Sequence, residues 1–354
     1  PTRRSSDLVL DFDEIHIEFA PNLVAMALDP ATGLEARIAN MRTHVAAAYG
    51  LILPEIRLTD EAALPPGAYR IRIQGVERVR DRLMPDRALC LMADGIEPPP
   101  GEDVKEPVYG APARWIRAED QERAALSGLT VVLPPEVLAT HLLEVIRGNL
   151  SRLLSLRGLR RLLDEFVAVS DPARAEANKR LLDELIPEKV PVDLLLSVLR
   201  LLLEERVSVR NLPLILEAIA EGRSLGMAEA VCEHVRHRLG FQLVAELKRD
   251  DGTIPLIQLA PEWEKTFTLY QIDGERGARD VALPPDQFGR LANALADRLN
   301  RAAEAGTFPA LVTSTLRRRF LRTVLGAKGL TAPVLSYEEI GLEARPAMIG
   351  VVPP

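Results

Sequence analysis

The stretch Glu184–Gly222, ELIPEKVPVDLLLSVLRLLLEERVSVRNLPLILEAIAEG, constrains the fold more than any other part of the chain. Its spacing predicts two helices joined by a short extended connection. Pro191 opens the first, where a missing N–H costs least. Leu194, Leu195, Val198, Leu199, Leu202 and Leu203 then recur at helical spacing, and Glu204, Glu205 and Arg206 form a charged, solvated end. Val207-Ser208-Val209 alternates like a short strand. Asn211 is placed to cap the second helix, with Pro213 tolerated in its first turn. Leu212, Leu214, Ile215, Leu216 and Ile219 give that helix an apolar body. Two short helices this apolar must be buried against the rest of the chain.

With 354 residues, 47% of them hydrophobic, the chain has material for two to four compact units. Aromatics make up only 4%, so the cores are built from Leu, Val, Ile and Ala, which favours helices with modest sheets over an all-β sandwich. A formal net charge of −7 argues against a nucleic-acid backbone as the main partner. Cys90 and Cys232 form no disulfide framework and fit a reducing compartment. No apolar run reaches the roughly 18–20 residues that a membrane-spanning helix needs; the run at 194–203 is cut by Arg200. The opening residues PTRRSSDL read as the ragged front of an excised domain, and 1–9 is expected to be disordered or non-native.

In order, Ile15–Phe19 alternates with period two, and Leu23–Leu28 reads as a more fully buried strand. Leu34, Ile38, Met41, Val45 and Ala48 mark a helix that stops at Gly50. Further strands are expected at Ile56–Leu58, Tyr69–Ile73 and Ala88–Met92. The Pro/Gly-rich run GIEPPPGEDVKEPVYGAP reads as an exposed loop. Trp115-Ile116 returns to the core, a charged helix covers 118–127, and the strand Thr130–Leu133 feeds a helix starting at Pro134-Pro135. Residues 150–250 read as helical, with breaks at Gly158, Asp171-Pro172, Pro187 and Gly222. A strand at Ile254, helices at 285–304 and 312–326, and a last strand at Pro333–Leu335 complete the chain. The fold class is therefore α+β and multidomain.

Candidate chemistry is sparse. Cys232, His234 and His237 have a spacing reminiscent of metal ligands, but Cys232 points away from the two histidines and no second cluster completes a tetrahedral site. The sequence has no phosphate-cradling P-loop, no dinucleotide fingerprint and no nucleophile elbow. Its Asp and Glu residues are scattered, with no pair marked for acid–base work. No cofactor and no enzymatic activity are expected. The 191–221 helices have the look of a helix-turn-helix, but the second is apolar and lacks a basic groove-facing set. Arg317, Arg318, Arg319 and Arg322 form a basic helical patch, better suited to a salt-bridged subunit contact than to DNA. Tyr109, on the loop Glu106–Gly110, lies near the Thr140-His141 helix start. Two uses fit it, the anchor of a peptide-binding cleft or simple packing under its own loop.

The opening stretch resembles the I-P-x-x-V…V-L-x-x-L-L-x-E-x-V-S-I-R-N/D-L-P-x-I-L-E signature of the cytoplasmic domain of the type III export gate family, found in flagella and injectisomes. Tyr69–Val76 (YRIRIQGV) is similar to the family's Y-x-I-x-I-x-G-V strand. Glu106–Ile116 (EPVYGAPARWI) resembles its E/D-P-A-F-G-L-P-A-x-W-I run, and Gly128–Val132 with Ala139–Leu142 resembles G-Y/F-T-V-V…A-T-H-L. Pro333–Glu339 is similar to the terminal P-V-L-S-x-x-E. The match covers roughly residues 10–350.

The resemblance implies two N-terminal α/β subdomains, one inserted in the other (10–83 with 134–153, and 84–133). A helical third subdomain (154–235) and a C-terminal α/β subdomain (236–354) follow. It implies a membrane domain upstream, placing the whole protein in the bacterial inner membrane with this part facing the cytoplasm. The implied partners are export chaperones with their cargo, other export-apparatus proteins, and further copies of the chain in a nine-membered ring. Its implied function is a docking platform that helps order export, with the flagellar branch favoured by Tyr109. The injectisome branch and a helix-turn-helix regulator are the alternatives. The implied chaperone-binding residues are Glu106, Pro107, Tyr109 and Thr140, with Val132 and Val137 in the wall. Tyr109 stands where the family usually has Phe, and Glu106 where Asp is commoner.

Overall fold

The structure, a computed structural model, describes residues 13–273, 279–341 and 344–354. The segment 1–9, expected to be disordered or non-native, lies outside these described residues. Contacts divide the chain into two units, Pro1–Asp183 with Leu199–Arg210, and Glu184–Val198 with Asn211–Pro354.

The first unit contains two sheets. In one, β1 (Ile15–Phe19) runs parallel to β2 (Ile56–Asp60) and antiparallel to β3 (Ala68–Ile73), which pairs with β4 (Val76–Arg82). Ile15, Ile17, Phe19, Tyr69, Ile71 and Ile73 are buried. On the other face of the sheet, Glu18 takes ion pairs from Arg70 and Arg72. This is the two-sided alternation expected of the antiparallel part of a sheet covered on one face. The helices Leu34–Tyr49 and Pro134–Arg147 pack together in this unit. Gly50 ends the first of these at φ +73, a left-handed position that a glycine adopts at no steric cost.

The second sheet has the order β6-β7-β5-β8, from β5 (Arg87–Leu91), β6 (Gly101–Lys105), β7 (Pro112–Arg117) and β8 (Val131–Val132). Its core is Ala88, Cys90, Ile116, Ala124 and Leu129. β6 lies inside the run read as an open loop. Gly101 permits the pairing, because a Cβ there would meet the Trp115 carbonyl at 2.2 Å. β4 also escapes the sequence reading, because a charged edge strand (VERVRDR) carries no apolar alternation.

Other expectations change as well. Leu23–Leu28 is a turn followed by the short helix Val24–Ala27, since Pro21 presets a helical φ and the buried residues Leu23 and Ala27 are spaced by four. Gly158 does not break its helix, Leu156–Val167. Its amide donates to the capping hydroxyl of Ser155 at 3.0 Å, and the break falls at 154–155. Val207-Ser208-Val209 forms no strand, although both valines are buried and the Val209 N–H donates to the Tyr49 carbonyl at 2.9 Å.

In the opening stretch the helices are Val192–Glu204 and Leu212–Gly222, and Leu195, Val198, Leu199, Leu202, Leu203, Ile215, Leu216 and Ile219 are buried. The Asn211 side chain makes no capping bond. The Asn211 backbone carbonyl instead accepts from the Ile215 N–H.

The second unit holds an all-parallel sheet of order β13-β12-β9-β14, with β9 Thr253–Leu259, β12 Ala310–Thr313, β13 Val334–Ser336 and β14 Arg345–Val352. A separate two-stranded ribbon joins β10 (Gln271–Asp273) to β11 (Arg279–Val281). Both faces of the parallel sheet are covered. Ile257 and Leu311 pack with Trp263, Phe267, Leu291, Leu295 and Leu321 on one side. Ile254, Leu256, Ala310, Val312 and Leu335 pack with Val244 on the other. The expected helix at 285–304 is Pro285–Glu304, whereas the one at 312–326 begins only at Thr315. Ala310–Thr313 is a wholly buried strand, and so short an apolar run carries no period to distinguish it from a helical turn.

Gly240 opens the helix Gly240–Ala245 directly against the turn after β13, where a Cβ would meet the Glu339 carbonyl at 2.5 Å. Gly240→Ala is therefore expected to cost about 1–3 kcal/mol by overpacking against backbone. The check is urea denaturation followed by the fluorescence of Trp263 in a Trp115→Phe background.

Candidate functional site

The loop joining β6 to β7 is closed by two backbone bonds, Glu106 N–H to the Ala111 carbonyl (2.7 Å) and Gly110 N–H to the Glu106 carbonyl (2.9 Å). Gly110 has φ +71, which releases the chain from the turn. The Glu106 carboxylate folds back over the loop. One oxygen accepts from Val108 N–H at 2.8 Å and the other from Tyr109 N–H at 2.7 Å. A charged acceptor on two inner amides fixes the loop backbone.

Tyr109 projects from this clamped loop with 71% of its surface exposed. Its hydroxyl donates to Glu144 Oε1 at 3.2 Å. That oxygen also accepts from Arg147 Nη1 at 2.7 Å, and Arg147 Nε donates to the Tyr49 hydroxyl at 3.1 Å. Partial burial, followed by the neighbouring Glu144 carboxylate, raises the Tyr109 pKa.

Thr140 is exposed one turn before Glu144 on the helix Pro134–Arg147, so the two share a face. Beside Thr140 lies an open groove of about 410 Å³. Glu136, Ala139, Thr140 and Leu143 form one wall, and Arg37, Asn40, Met41 and His44 of the helix Leu34–Tyr49 form the other. Arg37 and Glu136 pair across it at 3.1 Å. Behind, His141 is buried with its Nδ1 2.6 Å from the Tyr69 hydroxyl, and burial lowers its pKa. An exposed aromatic, two polar side chains on one helix face and a half-apolar groove have the composition common to surfaces that bind protein segments.

The structure thus brings Glu106, Tyr109 and Thr140 to one side of this unit. Pro107 is half-buried and lines a cleft of about 90 Å³ with Val104, Met84 and Trp115. Val132 is half-buried in β8, opposite Leu89. Val137 does not line a wall. It is 2% exposed, on the core face of its helix with Leu138, His141 and Leu142. Glu144 and Arg147 are absent from the sequence reading, as are Arg37, Asn40 and His44 on the helix Leu34–Tyr49, where Met41 is read only as part of an apolar helix face. The i, i+4 spacing from Thr140 was the available signal for Glu144.

The arginine patch divides. Arg317 and Arg318 are 2% and 0% exposed, on the buried face with Leu321, Val324 and Leu325. Arg317 pairs with Glu264 at 2.9 Å, and Arg318 Nε donates to Glu233 at 2.7 Å. Neither presents its charge to another subunit. Arg319 and Arg322 are partly exposed, and Arg322 donates to the Leu330 carbonyl. Cys232 is buried, His237 is exposed and His234 lies 3.2 Å from Glu221. Among the described residues no group of three His, Cys, Asp or Glu is placed to hold a metal, and no helix is long and apolar enough to cross a membrane.

Residues 2–345 match the sequence profile of the FHIPEP family. The chain belongs to that family. It is 34% identical over 346 residues to the flagellar biosynthesis protein FlhA of Caulobacter vibrioides, covering 97% of this chain and 48% of that protein. With FlhA of Bacillus subtilis the identity is 28% over 350 residues, covering 97% and 50%. This FHIPEP chain therefore spans about half the length of the curated relatives it matches. Its fold is similar to Chlamydia pneumoniae CdsV, with a TM-score of 0.79, 20% identity and coverage of 96% and 98%. A nonameric SctV-C from EPEC gives 0.73, 16% identity and coverage of 97% and 99%. At these identities the likeness is one of fold.

Proposed function

We propose that this FHIPEP chain is the cytoplasmic docking platform of a flagellar type III protein export gate. It binds export chaperone–substrate complexes, helps order their export and catalyses no reaction. The whole protein sits in the bacterial inner membrane, and this part faces the cytoplasm. The observation that carries the docking role is the Tyr109 loop, clamped by Glu106 and set against the helix face that holds Thr140 and Glu144. A platform that must bind several chaperones and release each needs modest affinity, and one aromatic anchor with a polar rim supplies it.

The flagellar branch is supported by the 34% identity to Caulobacter FlhA. The solved EPEC SctV-C is nonameric, and CdsV, similar in fold, has been solved in complex with CdsO. By extension this chain forms a nine-membered ring and meets other export-apparatus proteins. Arg319 and Arg322 are the remaining candidates for its subunit contact. The four-part division into 10–83 with 134–153, 84–133, 154–235 and 236–354 belongs to the same proposal. A ring presents several clefts together and so raises their effective concentration.

The test is a calorimetric titration of the chain with the late-substrate chaperones of its source organism, each purified with its cargo. Saturable binding to one or more is expected. Absence of heat and of co-elution for every complex would sink the docking role.

A further inference from the structure

Resting on the docking reading above, we propose that Glu144 is a positioning residue of this site, holding the Tyr109 ring in the orientation a partner meets. With 71% of Tyr109 exposed, little packing fixes the ring. Its backbone is already fixed, since both Glu106 oxygens are engaged by loop amides. What remains is the hydroxyl, which donates to Glu144 at 3.2 Å. Glu144 is itself held by Arg147, and Arg147 by Tyr49, so the acceptor cannot swing freely. The relay anchors an exposed ring to two helices before any partner arrives. Ordering the ring in advance removes a cost that binding would otherwise carry. Glu106, in this arrangement, shapes the loop, and Glu144 is the acid beside the ring. A phenylalanine at position 109 has no hydroxyl and could not use this tether, so Glu144 matters only because this chain carries tyrosine there.

The test combines Glu144→Ala and Glu144→Gln with either Tyr109 or Tyr109→Phe, each titrated with the late-substrate chaperone–cargo complexes. Glu144→Ala is expected to weaken binding roughly threefold to tenfold when Tyr109 is present. Glu144→Gln, which keeps an acceptor oxygen, should recover most of that loss. In the Tyr109→Phe background Glu144→Ala should change nothing. Equal losses in both backgrounds, or no loss in either, would overturn the proposal; equal losses would assign the effect to Arg147 and Tyr49. Separately, 13C-tyrosine NMR of the free chain reads the Tyr109 Cζ resonance, which Glu144→Ala should move and Glu144→Gln largely keep. If no chaperone binds the wild-type chain, the docking reading fails and the resonance alone decides: an unmoved Cζ shows that Glu144 does not hold the ring.

Discussion

Glu339→Ala is expected to destabilise the second unit by about 3–5 kcal/mol, the range for removing one partner of a buried ion pair. Glu339 and Arg236 have side chains 1% and 3% exposed, 2.7 Å apart. Glu339 follows β13, where its Oε2 also accepts from the Ser336 N–H at 2.8 Å. Arg236 lies on the helix Ala228–Arg238 and reaches the Val334 carbonyl as well. Truncating the carboxylate therefore removes a buried, hydrogen-bonded ion-pair partner of the Arg236 guanidinium and opens the turn that shapes the end of β13. Glu339→Gln keeps an acceptor for Ser336 and should lose less. The chain has two tryptophans, and Trp115 lies in the first unit, so a Trp115→Phe background makes Trp263 the reporter of the second. A loss below about 1 kcal/mol in urea denaturation would show that the pair behaves like an exposed one.

Tyr109→Ala should weaken chaperone binding at least about 30-fold, equivalent to the roughly 2 kcal/mol that marks an aromatic hot spot. The ring contributes little to the fold, because it is largely exposed and makes one side-chain hydrogen bond. Circular dichroism and the denaturation midpoint should therefore be unchanged. Loss of affinity at constant stability separates an anchor from a packing residue. A change smaller than twofold in calorimetric titration would mean that the ring is not the anchor.

Much of this architecture is legible in the sequence where one physical signal dominates. Ile15–Phe19 and Tyr69–Ile73 alternate because one face of their sheet is buried and the other carries Glu18, Arg70 and Arg72. The helix Pro285–Glu304 announces itself through a proline at its start and an apolar stripe of Leu291, Leu295 and Leu299. The signal fails where burial is total or absent. Ala310–Thr313 is apolar on both faces, and Val76–Arg82 is polar on both, so neither has a period to read.

The site is legible only in part, for a related reason. Local order along the chain brings Glu106 and Tyr109 together, and the loop in which they sit is visible as a Pro/Gly-rich run. Glu144 lies 35 residues from Tyr109, and only the packing of the loop against the helix Pro134–Arg147 makes them neighbours. Val137 and Thr140 are three residues apart on that helix, yet one lies on its core face and the other at its surface. The four arginines show the same limit. Charge in sequence reads as surface, whereas Glu233 and Glu264 draw Arg318 and Arg317 inside.

The most direct measurement of the docking claim is photo-crosslinking from a benzophenone amino acid placed in the groove at Leu143, with a second copy of the experiment at Arg319. A late-substrate chaperone should be captured from position 143, unlabelled chain should compete the adduct away, and position 319 should give no chaperone adduct. Capture from position 319 with none from 143 would contradict the docking proposal and would move the docking site off the groove beside Thr140 altogether.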